Sequence, residues 1–191
     1  DDSTLIYTLK ESPSSATSFD LWMRTLSTDQ IRQLTTFPGD ELSPAPRPGT
    51  SGVAYTEQAA KGRIVLIPDY FTATPERYYL TPVTLDCGEP DWDPAGQRVC
   101  FTADSTSKYR HVWMVNLAAG DSTPVQITTG PYFDSAPRFS PDGTQILFAS
   151  PARTGRPGLW SVFPGSGVLK LIAFDDVGST PATPAWSPDM S

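Results

Sequence analysis

The stretch Ser135-Ala136-Pro137-Arg138-Phe139-Ser140-Pro141-Asp142-Gly143-Thr144-Gln145-Ile146-Leu147-Phe148 decides how this chain is read. It holds one short apolar segment around Phe139, a turn, and a second apolar segment ending at Phe148. Pro141 presets φ for a tight turn, and Gly143 takes the conformation that other residues avoid. Two short strands joined by a Pro-Asp-Gly turn follow from that chemistry.

The same pattern recurs on both sides. Pro90-Asp91-Trp92-Asp93-Pro94 precedes Pro137-Arg138-Phe139-Ser140-Pro141 by 47 residues, and Pro184-Ala185-Trp186-Ser187-Pro188 follows it by 47. Pro44-Ala45-Pro46-Arg47-Pro48 is a degenerate copy, with proline in place of the aromatic. Other marks keep the period. Tyr7-Thr8, Tyr55-Thr56, Phe101-Thr102 and Phe148-Ala149 form one series. Asp20 to Met23, Ile64 to Ile67, Val112 to Val115 and Leu159 to Val162 form a second. Leu34-Thr35, Leu80-Thr81 and Ile127-Thr128 form a third.

Each unit thus carries four short segments rich in Val, Ile, Leu and aromatics, separated by turn residues. They are too short for helices. Four strands in a unit of about 47 residues describe a β-propeller blade. The predicted fold is all-β: a β-propeller of four four-stranded blades. Blade 1 spans residues 1–41 plus 183–189, blade 2 spans 42–88, blade 3 spans 89–135 and blade 4 spans 136–182. Trp92, Phe139 and Trp186 are expected to pack between blades, with Trp113 and Trp160 in the same structural role. Because the N-terminus starts at a second strand, the segment 184–189 is expected to supply the missing first strand and close the ring. Closure would satisfy edges otherwise left open. Two chains forming one eight-bladed ring, or a piece of a larger propeller, are the alternatives. A monomer is favoured over a dimer.

These motifs resemble the PD40 (WD40-like) repeat of TolB-type propellers, whose unit reads P-x-W-S-P-D-G, then I-x-F, then I-y-v-x-d, then L-T. The resemblance covers essentially the whole chain, strongly from 89 to 189 and weakly from 42 to 88. Such propellers usually carry six blades, and this chain departs from that with four repeats. The resemblance implies a periplasmic or extracellular location. It speaks for a fold more than for a function, because one fold hosts many functions.

Composition sets further bounds. The formal charge is -7, and the 14 Lys and Arg form no block. Nucleic-acid binding is not expected, because phosphate needs a basic stripe. No apolar run is long enough to span a membrane. The chain begins Asp1-Asp2-Ser3 and shows no leader-like segment, which suggests processing or trimming. Cys87 and Cys100 are spaced for a disulfide across a hairpin, or for two buried thiols. With one histidine, His111, they cannot build a structural zinc site. His111 reads as a hydrogen-bonded residue at a strand edge. There is no G-x-S-x-G elbow, P-loop or G-x-G-x-x-G. No catalytic residue is expected.

Two clusters remain as candidate sites. Acids gather in the loops leading into each first strand: Asp40 and Glu41, Glu89 and Asp91, Asp134, and Asp175 and Asp176. Glu41, Glu89 and Asp134 can meet at the channel mouth and hold a ligand or a hard cation such as Ca²⁺. No other cofactor is expected. Blade 2 carries an insertion-like stretch, Pro68 to Tyr79, in which Tyr70, Phe71, Arg77, Tyr78 and Tyr79 supply the residue mix of protein interfaces. The expected function is a non-catalytic protein-interaction or scaffold module acting through blade loops. The alternatives are a ligand- or cation-binding propeller, or the accessory propeller of a prolyl-oligopeptidase-like hydrolase.

Overall fold

A computed structural model describes residues 3–10, 18–104, 108–118, 122–151, 153–174 and 183–187. Among these residues, fifteen strands form four antiparallel sheets. The first sheet holds β1 (Thr4–Leu9), β2 (Asp20–Thr25) and β3 (Gln30–Gln33). The second holds β4 (Asp40–Pro46), β5 (Val53–Gln58), β6 (Gly62–Ile67) and β7 (Tyr78–Tyr79). The third holds β8 (Asp86–Trp92), β9 (Arg98–Asp104), β10 (His111–Asn116) and β11 (Val125–Gln126). The fourth holds β12 (Ser135–Phe139), β13 (Ile146–Ser150), β14 (Gly158–Val162) and β15 (Leu169–Phe174). Strands within a sheet pair in chain order, as a blade meander requires.

The sheets stack face to face. Ile6, Leu21, Met23 and Leu34 of the first meet Val53, Tyr55, Val65 and Ile67 of the second. Ala45, Ala54, Ile64 and Leu66 meet Trp92, Val99, Phe101 and Val115, with Trp113 packed alongside. Cys100 and Val112 meet Phe139, Ile146, Phe148 and Val162, with Trp160 alongside. Strand alternation explains the division, because odd and even positions face different neighbours. The Tyr55, Phe101 and Phe148 series is the fully buried aromatic of each seam. At Gly62 the second sheet approaches the third so closely that a Cβ would lie 2.0 Å from the Cys87 carbonyl oxygen.

Hydrogen bonds lock the seams. Trp92 Nε1 donates to Ala45 O at 3.0 Å across the second seam. Arg47 Nε reaches Gly96 O at 2.7 Å, and Arg98 Nη2 reaches Gly143 O at 2.7 Å, each in the next blade's turn. The recurring Leu-Thr also has a function. Thr35, Thr81 and Thr128 each accept the amide of a third strand, from Leu21, Ile64 and Val112, at 2.8–2.9 Å.

Each first strand carries a bulge at the same point, between Leu42 and Ala45, Gly88 and Asp91, and Ser135 and Arg138. Ser43, Glu89 and Ala136 sit there in the left-handed region, with φ of 52°, 58° and 49°. Pro44, Pro90 and Pro137 follow them. Proline has no N–H to give a ladder, so it belongs where the ladder is interrupted.

Ring closure by the C-terminal segment is not what the structure shows. Residues 183–187 form no strand, and among the described residues β1 pairs with β2 alone. Trp186 Nε1 instead donates to Arg138 O at 3.1 Å. That is the bond Trp92 makes two seams earlier, so the segment continues the stack past the fourth sheet. Residues 188 and 189 of the expected closing strand lie outside the described residues. The hairpin disulfide is also absent: Cys87 and Cys100 are free and buried. Cys87 faces Ala103 and Cys100 faces Asp91, so the two are not opposite, and they pack in different seams.

Trp92→Phe keeps the ring but removes the donor from the Ala45 carbonyl. A buried acceptor without a partner costs about 1–3 kcal/mol, which a urea unfolding series on the variant should show as a lower midpoint at unchanged slope.

Candidate interaction surface

The β6–β7 connection folds back over the first blade. The Asp69 carboxylate accepts the Ser51 hydroxyl at 2.7 Å and the Phe71 amide at 2.9 Å, which holds it below the usual carboxylate range. From the first blade, Arg32 donates to the carbonyls of Tyr70 and Thr72. Tyr70 is pulled inward and joins the first seam, so it is a core residue and not part of the exposed set. Phe71 packs its ring 4.9 Å from Tyr70 yet stays 59% exposed. It borders a groove of about 610 Å³ shared with Met23, Thr25, Gln30, Ile31 and Arg32.

Further along, aromatic rings alternate with guanidinium groups. Arg77 lies 3.7 Å above the Phe37 ring and pairs with Glu57. Tyr79 comes next, 5.4 Å from the Arg77 guanidinium, and its hydroxyl donates to Glu57 at 3.1 Å. The Arg63 guanidinium, on the neighbouring strand, lies 3.4 Å from the centre of the Tyr79 ring. Register explains this contact. Tyr79 is opposite Val65, and Arg63 is two residues from Val65 on the same strand face. Tyr78 bonds Glu76 at 2.6 Å and is 51% exposed, with Tyr79 at 41%. Arg77, Tyr78 and Tyr79 are therefore gathered on the outer edge of the second blade, while Phe71 lies over the first blade and Tyr70 enters the seam. Phe37, Arg63 and Glu57 complete the set. Their parts depend on register and on the seam with blade one, which the local sequence does not display.

The acids are placed elsewhere. Glu41 is fully buried and accepts the Thr35 hydroxyl at 2.9 Å. Burial, with the Asp20 carboxyl in hydrogen-bond reach, pushes Glu41 up to about 8. Asp134 is fully buried against Thr128 and Arg153, with His111 Nδ1 at 3.7 Å. Glu89 bridges seams differently, accepting the Thr102 hydroxyl and the Ala136 amide, each at 3.0 Å. At the place matching Glu41 and Asp134, the Cys87 thiol meets Thr81. Glu41 thus engages its partner in the first seam, and Glu89 and Asp134 engage theirs in the third, each through different residues. Asp175 and Asp176 lie outside the described residues. First strands β4, β8 and β12 do converge, on a groove of about 420 Å³ that includes Ser43, Pro44, Pro90, Asp91 and Arg138. Among the described residues no three His, Cys, Asp or Glu side chains are grouped to hold a metal ion, and no helix is long and apolar enough to cross a membrane.

A family model described as the PD40 TolB beta propeller domain matches residues 2–191. Among solved structures, the chain is similar to TolB from Acinetobacter baumannii, at 24% identity and a TM-score of 0.78, over 97% of this chain and 45% of that one. It is similar to an oligogalacturonate lyase solved in complex with manganese, at 18% identity and a TM-score of 0.69, over 90% of this chain and 49% of that one. A structure described as TolB from Agrobacterium tumefaciens matches at 22% identity and a TM-score of 0.67, over 89% of this chain and 60% of that one. The chain spans about half the length of these structures. No curated protein matches it in sequence.

The raised Glu41 group makes stability pH-dependent. Its folded value lies above the unfolded one of 4.5, so its contribution is complete below that point and is lost as pH rises through about 8. Glu41→Gln should flatten this slope and gain on the order of 1–4 kcal/mol over wild type at alkaline pH, read from unfolding midpoints across pH.

Proposed function

Because the chain belongs to the TolB β-propeller family, we propose that it is a non-catalytic protein-interaction module that docks through the outer edge of its second blade. One observation carries this reading. Phe71, Tyr78 and Tyr79 stay exposed on the second blade, and Arg63 and Arg77 beside Tyr79 are already held by ring contacts. Interfaces are enriched in Tyr, Phe and Arg, and ordered side chains lose little freedom on binding. Partner and module meet in the periplasm or outside the cell, the location that the family resemblance implies.

Binding without turnover also fits the state of the one histidine. His111 is buried in a seam, and the nearby Asp134 carboxylate is already engaged by Thr128 and Arg153. The acids first considered for a cation are engaged in the same way, which favours the protein-binding reading over the ligand-binding one.

A photoreactive aromatic residue placed at Phe71, at Tyr78 and, as a control, at Val168 on the fourth blade tests this in the producing cell. The same protein should be captured from 71 and 78 and not from 168. Phe71→Ser with Tyr78→Ser should then weaken association with the captured protein at least about tenfold. Equal capture from all three positions, or none from 71 and 78, refutes the docking surface.

A further inference from the structure

The outer strand of each blade has one edge with no strand beyond it among the described residues. Such an edge offers free backbone groups to any extended chain, and folded proteins blunt it with short strands, lysines or bulges. Three of the four outer strands are blunted in these ways. β7 and β11 are two residues long. β15 carries Lys170, and a register shift against β14 leaves Ile172 unpaired. β3 (Gln30-Ile31-Arg32-Gln33) is four residues long, pairs without a register shift and holds no lysine or proline. Its one charge is drawn aside, because Arg32 donates to the carbonyls of Tyr70 and Thr72.

Register decides which groups of β3 are free. Backbone bonds of an antiparallel pair alternate along the strand. The Leu34 amide donates to Leu21 O at 2.8 Å, and the pairs then run Gln33 with Trp22, Arg32 with Met23, Ile31 with Arg24 and Gln30 with Thr25. Arg32 and Gln30 therefore direct their N–H and C=O at β2, while those of Ile31 and Gln33 point away from the sheet. On the other side of β2, the bond from the Leu26 amide to Ser3 O gives the same alternation. Side chains alternate as well. Gln30 and Arg32 share a face with Thr25 and Met23, and that face borders the groove of about 610 Å³ that Phe71 flanks. Ile31 stands at its rim and is 55% exposed. Met23, Ile31 and Phe71 offer hydrocarbon to this groove, and the Arg32 guanidinium is held by the 70–72 carbonyls.

We infer that β3 is a template for strand addition: an extended partner segment with apolar residues at alternate positions pairs with the free groups of Ile31 and Gln33, and its side chain opposite Arg32 enters the groove against Phe71. This rests on the docking surface proposed above, of which Phe71 is part, and names the form of partner that it takes. Two observations fix the chemistry. Backbone donors and acceptors that recur at every second residue are matched by an extended chain, not by a helix or a free ion. A groove whose guanidinium is already engaged within the chain favours a neutral, apolar side chain over a carboxylate.

The test is amide hydrogen exchange of the isotope-labelled chain, followed by NMR, with a blocked pentapeptide alternating Thr and Val. Bound peptide should slow the Ile31 and Gln33 amides at least about tenfold and leave those of Gln30 and Arg32, already bonded to β2, unchanged. N-methylation of alternate residues removes the donors along one edge of the peptide. Of two versions, methylated at every threonine or at every valine, one should therefore lose the effect. Ile31→Pro deletes an outward N–H without breaking a bond to β2, and should weaken binding at least about tenfold. Undiminished binding of both methylated peptides, or undiminished binding to Ile31→Pro, overturns the proposal. So does the absence of slowing at Ile31 and Gln33 up to about 1 mM peptide, or slowing at β15 in their place. Slowing that grows with the concentration of the chain alone overturns it as well, by showing a second copy as the occupant. Should Ile31→Pro fail to fold, the methylated peptides on the unaltered chain carry the comparison. Capture from positions 71 and 78 without slowing at β3 would remove strand addition alone and leave the docking surface standing.

Discussion

A four-stranded antiparallel sheet of short strands has two apolar faces and can bury neither by itself. Everything else in this molecule follows from that constraint. Each sheet alternates residues so that one set meets the blade before it and the other meets the blade after it. Tyr55, Phe101 and Phe148 sit at the same place in three seams. Several polar groups that the stack traps find partners within it, which lowers the cost of burying them. The threonine after each outer strand takes an amide from the third strand, and in two seams also donates to the acid of the next blade.

The same constraint separates what the acids do from what the aromatics do. Glu41 and Asp134 look like loop acids in sequence, yet they sit where blades meet and are consumed there. The blade-two aromatics look like a candidate core in sequence, and one of them is. Tyr70 enters the seam, while Phe71, Tyr78 and Tyr79 remain outside. Position relative to the seam, more than residue type, decides which side chains are left for a partner.

Much of this was legible in the residues. The recurrence of the Pro motif every 46 or 47 residues locates three first strands, and the Pro-Asp-Gly turn at Pro141 locates a hairpin. Trp92 and Phe139 lie between blades as their place in the repeat implies. Other features were not legible, for stated physical reasons. The shift from closing strand to continued stack at Trp186 is a matter of which carbonyl its indole meets, Arg138 or one near β1, and periodicity is the same for both. Two cysteines 13 residues apart suit a hairpin, but the bulge between Gly88 and Asp91 and strand alternation send them to different seams. Arg63 reads as an ordinary strand arginine until the pairing of β6 with β7 lays it on Tyr79.

Because, among the described residues, the main contacts of each sheet are with its neighbours in sequence, the assembly behaves as a nearest-neighbour array. Cohesion is then a sum of seam terms, and a weakened seam divides the stack at that point without loosening the seams farther away. Gly62, with no space for even a methyl group against Cys87, makes the second seam the tightest backbone approach described for any glycine here. The blade that carries the proposed docking edge is thereby anchored on the side away from Phe71, so a load applied at that edge would pass along the backbone into blade three.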